Sequence, residues 1–134
     1  MNLIEMHMAA AHFPIALMVS SVFFDGAGLL FRKEHLHVTA FWVHLLAAAA
    51  CIGTVALGLL GNPFRGAAEP LATHVLRHQL LGITTMVICV ALAVWRVRQR
   101  NGFTGPRLAI FAAISLAGAA VVTVTGYLGA HIGG

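Results

Sequence analysis

Apolar residues in this chain gather into four long runs, residues 13–31, 38–60, 78–95 and 108–128, and polar residues are pushed into the stretches between them. Crossing a hydrocarbon layer about 30 Å thick takes about 20 mostly apolar residues in helical form. Lipid offers backbone groups no hydrogen-bond partners, and continuous apolar runs of this length exclude barrel strands. The expected fold class is therefore all-α, an integral membrane four-helix bundle forming a single transmembrane domain over residues 1–134. Between the second and third runs, Gly61-Asn62-Pro63-Phe64-Arg65-Gly66 carries strong helix breakers. Residues 67–74 are predicted to form a short interfacial helix leading into the third span. Pro14 stands one residue into the first run, where its missing N–H costs nothing if the helix starts there.

Composition adds to this picture. Hydrophobic residues make up 60% of the chain and charged residues 9%, against about 25% charged in an ordinary soluble domain. A chain with a mean hydropathy of +0.91 has too few polar groups to cover its surface in water. The net charge of +4 comes from residues at the ends of the apolar runs, in no nucleic-acid motif, so no nucleic-acid partner is expected. Arg32, Lys33, Arg96, Arg98, Arg100 and Arg107 fall on one side of the membrane, and only Arg65 and Arg77 on the other. The positive-inside rule places the first group in the cytoplasm. Both termini and the middle loop then face outward, to the periplasm if the membrane is the inner membrane of a Gram-negative bacterium. The first run is preceded by Glu5 and His7 and interrupted by Asp25, which predicts a retained helix rather than a cleaved signal peptide.

Small residues are dense in the second and fourth runs, as in Ala47-Ala48-Ala49-Ala50 and Ala117-Gly118-Ala119-Ala120. Together with Gly53, Gly58, Gly61 and the Gly126/Ala130 pair they are expected to let helix backbones approach closely, within the chain or in a homo-oligomer. Cys51 and Cys89 lie deep in apolar runs and read as small core residues, not as a disulfide framework.

Eight histidines in so apolar a chain call for a chemical explanation. The topology sends His7, His12, His74, His78 and His131, from three helices, to the outer face. It puts His35 and His37 at the inner face and His44 about two turns into the second span, at about 1.5 Å per residue. His74 and His78 are spaced i, i+4, and their face continues through Gly82, Thr85 and Cys89, a small and polar stripe expected to face the interior. Thr123, Tyr127 and His131 make a second such row. Imidazoles converging from separate helices are how bundles hold metals and haem. The leading expectation is haem b, with axial ligands drawn from His12, His74, His78 and His131. Arg77 and Arg65 would meet the propionates, and His44 would serve a second haem or a quinone. The rival is copper or zinc bound by His7, His12, His74 and His131, with Met6 and Met8 adding soft thioethers.

The opening His7-Met8-Ala9-Ala10-Ala11-His12-Phe13-Pro14-Ile15-Ala16-Leu17 resembles the signature H-P-x-x-x-H-F-P-I-A-L of a family of small four-helix bacterial membrane proteins catalogued as a domain of unknown function. Gly129-Ala130-His131-Ile132 resembles the family's closing G-G-H-L motif, and His74 matches a histidine at the start of its third helix. Met8 and Ala130 depart from the pattern, and an asparagine often stands at the position of His78. The resemblance covers essentially the whole chain and implies a shared site at His7, His12, His74 and His131. Some relatives are joined to iron–sulfur redox modules, which implies electron transfer.

No Gly-rich phosphate loop, G-x-S-x-G elbow or H-E-x-x-H motif is present, so any enzyme activity would be that of a haem-dependent membrane oxidoreductase. Asp25, the one carboxylate well inside a span, reads as a proton relay, a partner for a cation, or a structural acid facing a polar pocket. A hydrogen bond from Asp25 to His44 is one expectation. The functional expectation is a membrane-embedded b-type cytochrome-like carrier moving electrons between the quinone pool and an extracytoplasmic redox partner. The alternatives are a copper- or zinc-binding membrane protein and a cofactor-free assembly subunit of a respiratory complex.

Overall fold

A computed structural model describes residues 2–62, 64–99 and 105–131. Pro63, Arg100 and Ile132, used above for the middle breaker, the inner charge cluster and the closing motif, lie outside the described residues. Five helices follow one another: α1 (Leu3–Ala10), α2 (His12–Phe31), α3 (Glu34–Leu60), α4 (Leu71–Arg98) and α5 (Pro106–Ala130). Four helical stretches, Leu3–Phe31 (α1 with α2), Glu34–Leu60, Leu71–Arg98 and Pro106–Ala130, are long and apolar enough to cross a membrane.

The helices extend beyond the apolar runs, and local chemistry explains where they stop. Asn2 caps α1 in a reciprocal box with Glu5: its side chain accepts from the Glu5 N–H and the Glu5 carboxylate accepts from its own. The first helical stretch thus begins at Leu3, not at Phe13. Pro14 has no N–H to give the carbonyl four residues back, which belongs to Ala10. The Thr54 hydroxyl of α3 donates to that carbonyl instead, at 3.3 Å. The proline therefore marks a join between α1 and α2 rather than the start of the span. Between α2 and α3 the chain turns within two residues: Arg32 adopts the left-handed region (φ 53°) and the Lys33 N–H donates to the Gly28 carbonyl. The segment 32–37, expected as a connection, is mostly the first turn of α3, so His35 and His37 are helical. The segment 67–74 does not form a separate interfacial helix; α4 runs unbroken from Leu71. Pro106 opens α5 at a position where no N–H is needed.

Helices α2 and α4 sit at opposite corners of the bundle, each packed against α3 and α5, and α1 lies mainly on α3. The interior is rich in small and polar residues around a few large apolar ones such as Phe111 and Met18. Pro14, Met18, Ser21, Asp25 and Gly28 are the buried positions of α2, spaced alternately by four and three. Large apolar side chains point outward, among them Phe23 at 67%, Leu60 at 70% and Leu30 at 76% exposure. In water this inversion would be ruinous, but in lipid the tails solvate leucine and phenylalanine as well as a protein core does. The side-chain distribution therefore supports a bilayer as solvent independently of run length.

Candidate functional site

The end of the bundle formed by α1, the end of α3, the start of α4 and the end of α5 is called the terminal end below, and the opposite one the turn end. At the terminal end two imidazoles face each other. His7 of α1 donates Nδ1–H to the Thr54 carbonyl of α3 at 2.8 Å, and His78 of α4 donates Nδ1–H to the Thr125 carbonyl of α5 at 3.2 Å. Their ring centroids are 6.1 Å apart, nearly perpendicular. A glycine one turn beyond each threonine makes room. A Cβ on Gly58 would stand 2.8 Å from His7 Cε1, and one on Gly129 would stand 2.6 Å from His78 Cε1. Each Thr-x-x-x-Gly stretch is thus a carbonyl acceptor with a ring-sized notch beside it. Among the described residues neither Nε2 has a hydrogen-bond partner, so each ring keeps a lone pair free. Both rings line a cavity of about 60 Å³, with Cys51, Thr85, Ile15 and Gly126 also in its wall.

These notches make a stability prediction. Gly129→Ala and Gly58→Ala should each cost about 1–3 kcal/mol by overpacking a ring. Gly53→Ala and Gly26→Ala, where an added Cβ meets nothing within 4 Å, should leave stability unchanged or raise it by about 0.5–1 kcal/mol. Thermal unfolding in detergent micelles tests this; equal behaviour of the two sets would discard the notch.

The two His–carbonyl bonds span the same 47 residues, because the bundle is internally duplicated. Residues 71 apart occupy equivalent places: His7 and His78, Thr54 and Thr125, Gly58 and Gly129, Met18 and Cys89, Asp25 and Arg96. The first half (α2, α3) and the second (α4, α5) run in the same sense around a pseudo-two-fold axis along the bundle. Three equivalent pairs straddle that axis: His7/His78 at the terminal end, Met18/Cys89 at mid-depth, and Asp25/Arg96 at the turn end.

The Asp25/Arg96 pair is fully enclosed. Arg96 Nη1 donates to Asp25 Oδ2, and Nη2 donates both to Asp25 Oδ1 and to the His37 carbonyl, each at 2.8 Å. His37 Nδ1–H adds a bond to Asp25 Oδ1 at 2.9 Å, and its ring lies where a Cβ on Gly28 would be. The guanidinium also stands 4.9 Å over the Phe111 ring. The expected Asp25–His44 bond is not formed. His44 directs Nε2–H to the Cys89 carbonyl at 3.1 Å and turns Nδ1 toward the Ser21 hydroxyl at 3.5 Å. Arg96, read from sequence as a loop cation, is a buried residue of α4 and supplies the cation that Asp25 needs.

The other sequence candidates do not join the His7/His78 pair. His12 and His131 are exposed and bond back to their own helices, at Met8 and Tyr127 carbonyls, and the His131 ring stacks on Tyr127 at 4.3 Å. His74 and Arg77 are exposed; Arg65 donates to the Leu59 carbonyl. Among the described residues no group of three or more His, Cys, Asp or Glu side chains is gathered closely enough to hold a metal ion. The set His7, His12, His74 and His131 is therefore not assembled. Haem b fits the residues poorly as well. A pocket for a ligand of that size needs several hundred Å³, His44 has both nitrogens directed at other groups, and His12, His74 and His131 do not line the cavity.

Fold and site together define a multi-pass integral membrane protein: a duplicated four-span bundle with paired polar groups along its axis. The chain matches, over residues 4–133, the model of the family described as "Predicted membrane protein (DUF2231)", and it belongs to that family. No curated protein and no solved structure matches it.

Proposed function

We propose that this protein binds a soft transition-metal ion, Cu(I), between His7 and His78 at the outer face of the membrane. The observation that carries the reading is the paired imidazole geometry. Each Nδ1–H is committed to a backbone carbonyl, which fixes the tautomer and raises the basicity of the free Nε2, as outer partners do for metal-bound histidines. Metal–nitrogen bonds of about 2.0 Å put two imidazole centroids about 6.4 Å apart across a linear two-coordinate ion, and closer when bent. The observed centroid separation of 6.1 Å is within the span of one ion bridging the two rings, and Cu(I) accepts two-coordinate binding. Zinc prefers four ligands, and among the described residues only two imidazoles line this cavity. Met6 and Met8, exposed beside His7, offer thioethers that suit capture of the same soft ion.

The same reading favours one orientation. With Arg96 counted out as the partner of Asp25, the turn end still carries Arg32, Lys33, Arg98 and Arg107 against Arg65 and Arg77 at the terminal end. That bias supports an orientation with the turn end in the cytoplasm and the histidine pair on the periplasmic side of a bacterial inner membrane.

The test is anaerobic titration of the protein in lipid nanodiscs with Cu(I) held by a chromophoric chelator, alongside an absorption spectrum of the protein as purified. Bound Cu(I) with imidazole nitrogen neighbours in X-ray absorption, and no Soret band, is the expected result. A Soret band with reducible α bands would replace copper by haem, and failure to draw Cu(I) from the chelator would overturn the proposal.

A further inference from the structure

Below the histidine pair, on the same axis, three sulfur-bearing side chains from three helices share one buried cluster. The Cys89 Sγ–H of α4 points at the Met18 Sδ of α2, 3.8 Å away. The third sulfur is that of Cys51 of α3, buried in the same cluster. All three side chains are buried, in the cluster that includes Ala47, Ala48 and Leu92, and both cysteines are free. Cys51 also forms part of the wall of the His7/His78 cavity, so the sulfurs lie one step further along the route an ion would take from the terminal end.

We infer that Cys51, Cys89 and Met18 form a second, deeper site for the same soft monovalent cation. For the identity of the ion this rests on the reading above; the sulfur geometry stands on its own. Metal–sulfur bonds of about 2.3 Å at trigonal angles set sulfurs about 4 Å apart, close to the observed Cys89–Met18 separation. Thiol and thioether donors select Cu(I) over harder ions. The charge balance is simple: the cation replaces one thiol proton, that proton leaves through the cavity, and no electrons move. A cation plus one thiolate is neutral, so the filled site adds no net charge to the middle of the bilayer. Two sites of rising softness along one axis, imidazole first and sulfur second, make the bundle a relay that draws Cu(I) inward from the outer face.

The experiment uses the full chain in nanodiscs, under anaerobic reducing conditions, with Cu(I) as the probe. Wild type should bind about two ions per chain, with both nitrogen and sulfur neighbours in X-ray absorption. The His7→Ala/His78→Ala variant should keep about one ion, held by sulfur alone; the Cys51→Ser/Cys89→Ser variant should keep about one, held by nitrogen. Met18→Leu, a volume-conserving change that folds even if the cysteine variant does not, should lose about a third of the sulfur signal. Copper bound by nitrogen alone in the wild type overturns the sulfur site and leaves the histidine reading intact. Copper bound by sulfur alone does the reverse, and no copper at all overturns both.

Discussion

Replacing Arg96 with methionine is expected to destabilise the bundle by about 3–5 kcal/mol, and replacing Asp25 with leucine by at least as much. Asp25 is 0% and Arg96 4% exposed, so neither charge left alone can reach water in place of its partner. The two losses are not equivalent. A stranded carboxyl can take up a proton and become neutral, but a guanidinium cannot lose one. With Asp25 gone, Arg96 keeps its bond to the His37 carbonyl and its place over Phe111, but loses the carboxylate that accepts from both of its Nη groups. The Asp25→Leu/Arg96→Met double variant should recover most of the stability, because a buried pair replaced by apolar residues of similar volume is often neutral or better. Unfolding by SDS titration in mixed micelles measures all three. If the single variants unfold like wild type, the pair is not enclosed as described.

The same pair shows what duplication permits. Two identical half-bundles would bring Asp to Asp or Arg to Arg across the axis, an arrangement that costs free energy at any depth in lipid. Once both halves lie in one chain, the equivalent positions can diverge to opposite signs, and Asp25 and Arg96 have done so. At the other end of the bundle the equivalent positions, His7 and His78, carry the same residue.

Length and composition made the four spans legible, because a bilayer rewards uninterrupted apolar runs whatever their order. Helix rotation was not legible. In a soluble helix the polar face marks the outside, but here leucine is at home on both faces, and only small and polar residues report the inside. The stripe Gly82, Thr85, Cys89 was read correctly for that reason: Thr85 and Cys89 are buried and Gly82 lines the cavity. His74, on the same stripe by spacing, sits at the helix start, beyond the packed part of the bundle, and is exposed. Arg96 was misplaced because Trp95-Arg96-Val97-Arg98 looks like the charged rim of a span, and α4 carries on through it. The signal that would have found both the acceptor threonines and the Asp25 partner is the offset of 71. Thr54-Val55-Ala56-Leu57-Gly58 recurs as Thr125-Gly126-Tyr127-Leu128-Gly129, and the same offset carries Asp25 onto Arg96.

His78→Ala should weaken Cu(I) binding at the outer site by more than about 100-fold, beyond the 10–100-fold typical of losing an outer partner of a ligand. His7→Ala should do the same, and the double variant little more, since one imidazole alone is no longer a two-coordinate site. Gly129→Ala acts at one remove: it displaces the ring without deleting it, so a loss within that 10–100-fold range is expected. His12→Ala, His74→Ala and His131→Ala should each change the affinity by less than about twofold, because His7 and His78 line the cavity and these three residues do not. Competition with a chromophoric Cu(I) chelator reads all of these on one scale, with the nitrogen shell from X-ray absorption assigning each loss to the outer site. The decisive comparison is His131→Ala against His78→Ala. His131 caps α5 and His78 lies two turns into α4, both at the terminal end of the bundle, and only His78 has its Nδ1 tied across to another helix. Equal losses in the two would mean that depth alone, and not the carbonyl-anchored geometry, selects the ligands.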